Sequence, residues 1–347
     1  MRTATFKLIS EAERELGRLD AQVRALPNPR LLLRPALSRE AVSTSALEGT
    51  FAPLSEVFAA EHLAERKQTP EVREIQNYTN AAVLGLKLIT SKPICFSVAA
   101  ELQAELVRGT RGESFDSGQM RKRLVCIGDS GRGIENSRFV PAPSGPELVE
   151  GISAWEKWVN SDNDMPFIAR LALSHYQFET LHPFSDGNGR IGRLLISLQL
   201  VEDKVLQYPV LNLSSWLEPR RQEYTDQLLN VSATGDYDAW IAFFARGVRE
   251  QAVTSSETVS RLVDTQTSLI ERVLAAGKKG VIVELARDLI GSPVVSVSDV
   301  RKKFGIANTS ARSVVLALVE LEILRPIEGI TYGKLYMCQD VYRALTD

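Results

Sequence analysis

Residues 182–193 read HPFSDGNGRIGR, and the interpretation of the chain turns on this stretch. Gly187 and Gly189 remove side chains where a backbone bends sharply or approaches a ligand. The strongly apolar run RIGRLLISLQLVED follows at once, from Arg190 to Asp203, and predicts a helix. The first amide N–H groups of a helix lack intrahelical partners and carry the positive end of its dipole. The glycines therefore open onto an anion site, for which phosphate is the usual occupant. Arg190 and Arg193 lie about one turn apart, and their guanidinium groups match phosphate oxygens. Asp186 suits a magnesium ion shared with substrate phosphates. His182 is the candidate base tuned near neutral pH. The chain carries no GxxxxGK[ST] loop and no kinase signature set, so ordinary P-loop and kinase chemistry are set aside. The residues alone describe a phosphate-binding helix start with a neighbouring base.

Outward from this stretch the chain reads mainly as helix. Ala12, Leu16, Leu19 and Val23 recur at helical spacing between Ser10 and Leu26, and Pro27 and Pro29 end the pattern. Ser38 is expected to cap a short helix running through Glu48, which Gly49 stops. Longer helices are expected over Pro70–Ile89 and Ser97–Val107, then from Glu147 and over Phe167–Thr180. Two more follow over Ser215–Val231 and Tyr237–Leu274. Between them, Leu124–Ile127 and Arg138–Val140 are strand-like runs flanking a polar, glycine-bearing stretch, read as a β-hairpin with a long tip.

Composition narrows the class. A chain of 347 residues, 44% hydrophobic and 24% charged, is expected to form more than one compact unit with a sizeable core. A formal net charge of −2 supplies no field to draw the whole molecule to nucleic acid or an anionic membrane. Cys95, Cys126 and Cys338 are widely spaced, which argues against a disulfide framework or zinc site and fits a reducing cytoplasm. The N-terminus lacks a signal-like apolar core and no apolar run spans a membrane, so a cytoplasmic location is expected.

The stretch from His182 to Arg193 resembles the Fic (Fido-domain) motif HPFx[DE]GNGRxxR at every defined position. The resemblance implies a protein adenylyltransferase, with ATP and Mg²⁺ as its reactants' requirements. His182 would deprotonate a Ser, Thr or Tyr hydroxyl of a target protein, or of the chain itself. Asp186 would hold the metal. The phosphate-binding set would run through Gly187, Asn188, Gly189, Arg190, Ile191, Gly192 and Arg193, with Asn188 in the anion hole, Phe184 anchoring the loop and Arg193 reaching the γ-phosphate. The hairpin resembles the family's flap, so Val125, Cys126, Ile127, Phe139 and Val140 would dock the target by strand addition. Thr44-Ser-Ala-Leu-Glu48-Gly49 fits the inhibitory motif [ST]xxxE[GN]. It implies the class with an N-terminal inhibitory helix, in which Glu48 pairs with Arg193 and Thr44 helps to fix the helix. Tyr224, in PVLNLSSWLEPRRQEY, is carried as an adenosine contact.

Of the other histidines, His62 is expected to be a solvated helix residue and His175 a structural one. From Val281 onward, VSVSDVRKKFG and IANTSARSVVLALVELEIL read as helix, turn and a second helix capped near Asn308 or Thr309, followed by a β-wing. This resembles a winged helix, which binds DNA in many proteins. Its formal charge balance is neutral, so protein contact or packing weighs equally with DNA. The expected divisions are 1–95 for an N-terminal helical region, 96–250 for the Fic core, 251–280 for a connecting helix and 281–347 for the winged helix. The fold class is therefore mainly α, with one hairpin flap. Homodimer formation is an expectation from the family alone. The rival functions are a nucleotide-sensing DNA-binding regulator and an enzyme that mainly removes AMP.

Overall fold

The computed structural model describes residues 1–62, 67–128, 136–327 and 334–347. The first layer is α1 (Thr3–Arg24), which buries Ile9, Ala12, Leu16, Leu19 and Val23 as one stripe. It begins before the predicted Ser10 because its start is tied to a distant helix. The Arg2 amide and the Thr5 hydroxyl both donate to Asp238, at 2.7 and 2.8 Å.

Next come α2 (Leu33–Leu47), α3 (Leu54–Ala60), α4 (Pro70–Leu88) and α5 (Phe96–Val107). Ser38 is not the cap of α2. The helix starts five residues earlier, with Pro35 in the first turn, where its missing N–H costs nothing, and Ser38 is fully buried. Gly49 does stop the helix, at φ 83°. Thr69 caps α4 by accepting from the Val72 amide at 3.3 Å.

Of the expected hairpin, the described residues show the antiparallel pair Ile127 with Phe139, and its tip lies outside them. Then follow α6 (Pro146–Val159), α7 (Phe167–Leu181), α8 (Asn188–Glu202), α9 (Leu213–Leu217), α10 (Arg221–Thr234) and α11 (Tyr237–Ala275). The single helix expected over Ser215–Val231 is broken by a 3₁₀ turn at Glu218–Arg220, where Pro219 cannot continue the α-helical bonding. The last of these helices, 39 residues long, runs unbroken through the expected division at 250.

Two apolar cores meet at α2 and α8. One contains Leu37 and Ala41 of α2 with Ile191, Leu194, Leu195 and Leu198 of α8. The other contains Leu32, Ala36 and Leu47, on and flanking α2, with Ile196 and Leu200 of α8. A helix buried on opposite faces reads as apolar all round, which is the pattern of residues 191–201. Buried Glu40 accepts from the Ser214 amide at 3.2 Å and from its hydroxyl, fixing α2 against α9.

The C-terminal part comprises α12 (Val281–Asp288), β1 (Val294–Ser296), α13 (Val297–Phe304), α14 (Asn308–Glu320), β2 (Arg325–Pro326), β3 (Leu335–Met337) and α15 (Gln339–Thr346). Its antiparallel sheet has the order β1-β3-β2. The start of the run expected as helix from Val295 is instead strand. The helix begins behind a reciprocal cap, with Ser296 accepting from the Asp299 amide and Asp299 from the Ser296 amide. Residue Ala307, with no side-chain oxygen, takes the N-cap position of α14 in place of Asn308 or Thr309. Among the described residues no helix is long and apolar enough to cross a membrane.

His62 is not a solvated residue. Its Nδ1 lies 2.9 Å from Asp299 Oδ2, joining the N-terminal helices to α13. Asp299 thus serves both the cap and this contact. Replacing it with Ala is expected to lower the thermal unfolding midpoint, at a cost of about 1–2 kcal/mol. Asp299→Asn is expected to keep most of that stability, as scanning calorimetry of the two variants would read.

Candidate active site

His182 ends α7 in the left-handed region, at φ 50° and ψ 60°. A non-glycine residue there needs support, and Arg121 supplies it. The buried Arg121 guanidinium donates to the carbonyls of His182 at 2.7 Å and Leu181 at 3.2 Å, and also to that of Ala142. Its own amide donates to the Pro183 carbonyl at 2.9 Å. His182 Nδ1 lies 3.3 Å from the Glu179 carbonyl and donates to it in the matching tautomer, which leaves Nε2 with its lone pair. Burial, aided by the Arg121 charge, pulls the imidazole down to about 4, against the raising effect of that carbonyl. His182 is therefore neutral at pH 7.

The loop after His182 is closed by Asn188. Its Oδ1 accepts from the Phe184 amide at 2.8 Å, and its Nδ2 donates to the Phe184 carbonyl at 2.7 Å. The side-chain amide is thus committed to the loop, which leaves the Asn188 main-chain N–H at the helix start. Phe184 is fully buried and stacks on Phe96 at 5.5 Å. Ser185 donates to Asp116 at 2.7 Å, and Gln103 donates to the Asp186 carbonyl at 3.1 Å. Gly187 turns the chain at φ 83°, and the first bond of α8 runs from the Ile191 amide to the Gly187 carbonyl at 3.0 Å. The amides of residues 188–190 precede that bond, as an anion-binding helix start requires.

Arg193 is 3% exposed. Its Nε donates to Thr44 Oγ1 at 2.7 Å, and its Nη2 to the Thr44 carbonyl at 3.2 Å and to Glu48 Oε1 at 2.5 Å. Burial opposes the Glu48 charge, but Arg193 outweighs it and holds the carboxyl below its ordinary range. Solvent still reaches 39% of the Glu48 side chain, so this carboxylate forms a wet cavity wall. A Cβ on Gly189 would lie 2.4 Å from Glu48 Oε1. Glu48 therefore rests directly on the α8 start, where an anion would bind.

The remaining predicted residues divide into two groups. A cavity of about 170 Å³ is lined by Glu48, His182, Gly189, Arg193 and Tyr224, and by the flap pair Ile127 and Phe139. Asp186 and Arg190 lie outside this lining. Arg190 is 3.4 Å from both Glu74 and Asp186, while Asp186 keeps 46% of its side chain exposed. A Cβ on Gly112 would come within 2.5 Å of the Asp186 carboxylate. Ile191 turns its side chain into the core, and its amide donates to the Gly187 carbonyl. Gly192 backs onto Glu179. Val125, Cys126 and Val140 flank the bridge without lining the cavity. Tyr224 does line it, but its hydroxyl lies 2.7 Å from His175 Nε2. Burial pushes that tyrosine up and pulls His175 down to about 3, so both are neutral.

Arg121, Glu179, Asp116, Gln103 and Glu74 carried no signal in the sequence reading. Each is distant from the motif or set in an ordinary helix pattern. The flap is also fastened across the cavity, with Arg138 paired to Asp226 and 3.4 Å from Gln222 of α10.

A profile described as Fic/DOC family N-terminal matches residues 6–87, and one described as Fic/DOC family matches 93–200. The protein adenylyltransferase fic-1 of Caenorhabditis briggsae is 30% identical over 137 residues, which is 39% of this chain and 24% of that protein. The protein adenylyltransferase Fic of Drosophila ananassae is 27% identical over 216 residues, 58% of this chain and 38% of that protein. The chain thus spans well under half the length of these curated relatives. Among solved structures, a Fic family protein from Desulfovibrio desulfuricans G20 superposes with a TM-score of 0.63 at 20% identity, covering 97% of this chain and 96% of that one. Fic-1 (residues 134–508) of Caenorhabditis elegans gives 0.54 at 20% identity, covering 72% of each.

Asn188→Ala would leave the buried Phe184 amide and carbonyl unpaired. The expected loss is about 2–4 kcal/mol of stability, measured by urea unfolding.

Proposed function

Because the chain belongs to the Fic/DOC family, we propose that it is a protein adenylyltransferase held in check by Glu48. It moves AMP from ATP to a Ser, Thr or Tyr hydroxyl of a target protein or of itself. The observation that carries this reading is one cavity that joins a neutral His182, the Gly189 helix start and Arg193, with Glu48 lying across the last two.

The geometry suits a displacement at phosphorus. A target segment pairs with the flap near Ile127 and Phe139 and brings its hydroxyl to His182. The Nε2 lone pair takes the hydroxyl proton while the oxygen bonds to the α-phosphorus. The bond from that phosphorus to the bridging oxygen breaks, and pyrophosphate leaves with its electron pair. The amides at the α8 start and the Arg193 guanidinium hold the phosphates. Asp186, half-exposed beside Arg190, fits a magnesium ion, which would neutralise charge on the α- and β-phosphates. With Glu48 on Gly189 and Arg193, the terminal phosphate loses its place and the α-phosphate lies out of line.

A second reading, removal of AMP, is favoured by the presence of Glu48 and His182 on one cavity, where the carboxylate can orient a water. Mass spectrometry of intact wild type, Glu48→Gly and His182→Ala after incubation with ATP and Mg²⁺ separates the two readings. AMP transfer predicts self-modification raised on the order of 10²-fold in Glu48→Gly and lost in His182→Ala. Unchanged transfer in a folded Glu48→Gly, with loss of AMP from a modified protein only in wild type, would favour removal.

The pH dependence follows from His182. Its folded pKa lies below the ordinary value, so the base-competent neutral form persists until the pH falls toward about 4. For Glu48→Gly, kcat at saturating MgATP is expected to be flat between about pH 6 and 8 and to fall only on the acid side of about 5. An acid limb near the ordinary histidine value of about 6.5 would contradict this.

A further inference from the structure

The cavity contains a carboxyl group that the proposed chemistry does not use. Glu179 stands on the last turn of α7 and lines the cavity with Glu48, His182 and Arg193. Its main-chain carbonyl holds His182, while its side chain turns onto α8. A Cβ on Gly192 would lie 2.3 Å from Glu179 Oε1, so the carboxyl rests on the backbone next to Arg193. Oε1 is buried and, among the described residues, has no hydrogen-bond partner. His175 Nε2, 4.0 Å away, is neutral and engaged by Tyr224.

The titratable groups around Glu179 come from four helices. They are His175 and His182 on α7, Glu48 at the end of α2, Arg193 on α8, and Tyr224 and Arg221 on α10, with Arg138 of the flap on the same cavity. Burial raises Glu179 most strongly, Arg193 opposes that rise and Glu48 adds to it, so the group titrates near 7. It thus shares one cation with Glu48, and the two carboxylates disfavour each other's ionisation.

We infer that Glu179 is a reserve counter-ion for Arg193, which competes with the terminal phosphate of ATP for the guanidinium once Glu48 is displaced. The inference rests on the reading that Arg193 receives that phosphate. While Glu48 is in place, burial first and then its negative charge raise Glu179 to about 7, so the carboxyl is partly protonated at neutral pH. When Glu48 leaves, that opposition goes, the attraction of Arg193 is unshared, and Glu179 ionises more readily. An incoming phosphate then meets a second carboxylate and must drive it back to the acid form. Binding of ATP, but not of ADP, therefore takes up a proton and weakens as pH rises. Glu179 is a positioning residue in this scheme, since it acts on the nucleotide through Arg193.

Calorimetric titration of Glu48→Gly and Glu48→Gly/Glu179→Gln with MgATP and MgADP tests this, across about pH 5.5 to 8 in buffers of different ionisation enthalpy. In Glu48→Gly, ATP affinity is expected to fall about three- to tenfold over that range relative to ADP, with fractional proton uptake. The double variant is expected to show a constant ATP-to-ADP ratio. The nucleotides' own titration is common to both proteins and cancels in the comparison. A preference for ATP over ADP with the same pH dependence in both proteins overturns the role of Glu179 alone. Equal ATP and ADP affinities at every pH overturn the assignment of the terminal phosphate to Arg193, and this inference with it. If the double variant does not fold, Glu48→Gly decides alone: a pH-independent ratio without proton uptake overturns the proposal.

Discussion

A guanidinium with 3% of its surface exposed must be balanced inside the protein, and Arg193 imposes that condition on the seam between α2 and α8. Thr44 meets it with a hydroxyl and a carbonyl, and Glu48 with a carboxylate. Both partners sit on or directly after the final turn of α2, so that helix has to reach the start of α8. Its placement is fixed independently. Leu37 and Ala41 enter one core, Ala36 and Leu47 the other, and Glu40 is tied to Ser214. The Arg193–Glu48 pair is consequently positioned by the packing of α2, and need not itself hold the helices together. That matters because Glu48 keeps a solvent-facing side while Arg193 is buried, so the pair is neither a surface ion pair nor a sealed one. Its effect lies in where the carboxylate rests.

The loop on the other side of the cavity follows a different rule. A sharp glycine-bearing turn presents main-chain groups to a ligand, and it must be made rigid from behind to hold them in place. Asn188 closes it internally, Phe184 stacks into the core, and Arg121, Asp116 and Gln103 buttress it from remote segments. The left-handed His182 is supported by this set. A buried arginine bonded to backbone carbonyls, rather than to an acid, keeps its charge beside the imidazole. This is one reason the base is neutral at pH 7.

The parts of this arrangement that depend on sequence spacing were legible. Residues 182–193 announced a helix start built for an anion, and the α7 and α8 bounds lie within two residues of the reading. Glu48 and Thr44 were legible through a motif, because the i, i+4 spacing puts both at one end of one helix. Contacts made by tertiary packing were not. Asp238 extends α1 backwards past its periodic stripe, and Asp299 takes His62 out of solvent. Arg121 lies in the basic run RKR, indistinguishable by composition from a solvated patch. Ile191 and Asn188 show the limit of a motif read residue by residue. Asn188 stands at a defined motif position and Ile191 at an undefined one, and their side chains serve the loop and the core.

The features that make this site suitable for a phosphate are those that let a carboxylate occupy it. A helix start attracts any anion, a guanidinium pairs with carboxylate and phosphate by the same fork, and Gly189 admits either because it has no Cβ. On the proposed function, selectivity for the nucleotide therefore cannot come from the pocket wall, since weakening Arg193 or crowding Gly189 would weaken the hold on carboxylate and phosphate alike. It has to come from what stands behind each anion. Glu48 is delivered by a helix already ordered in both cores, so it binds with little further entropy loss. A nucleotide must bring its own binding energy from the rest of the molecule. In the proposed function, the brake and the binding site would thus be one set of atoms with two possible occupants, one of them delivered by α2.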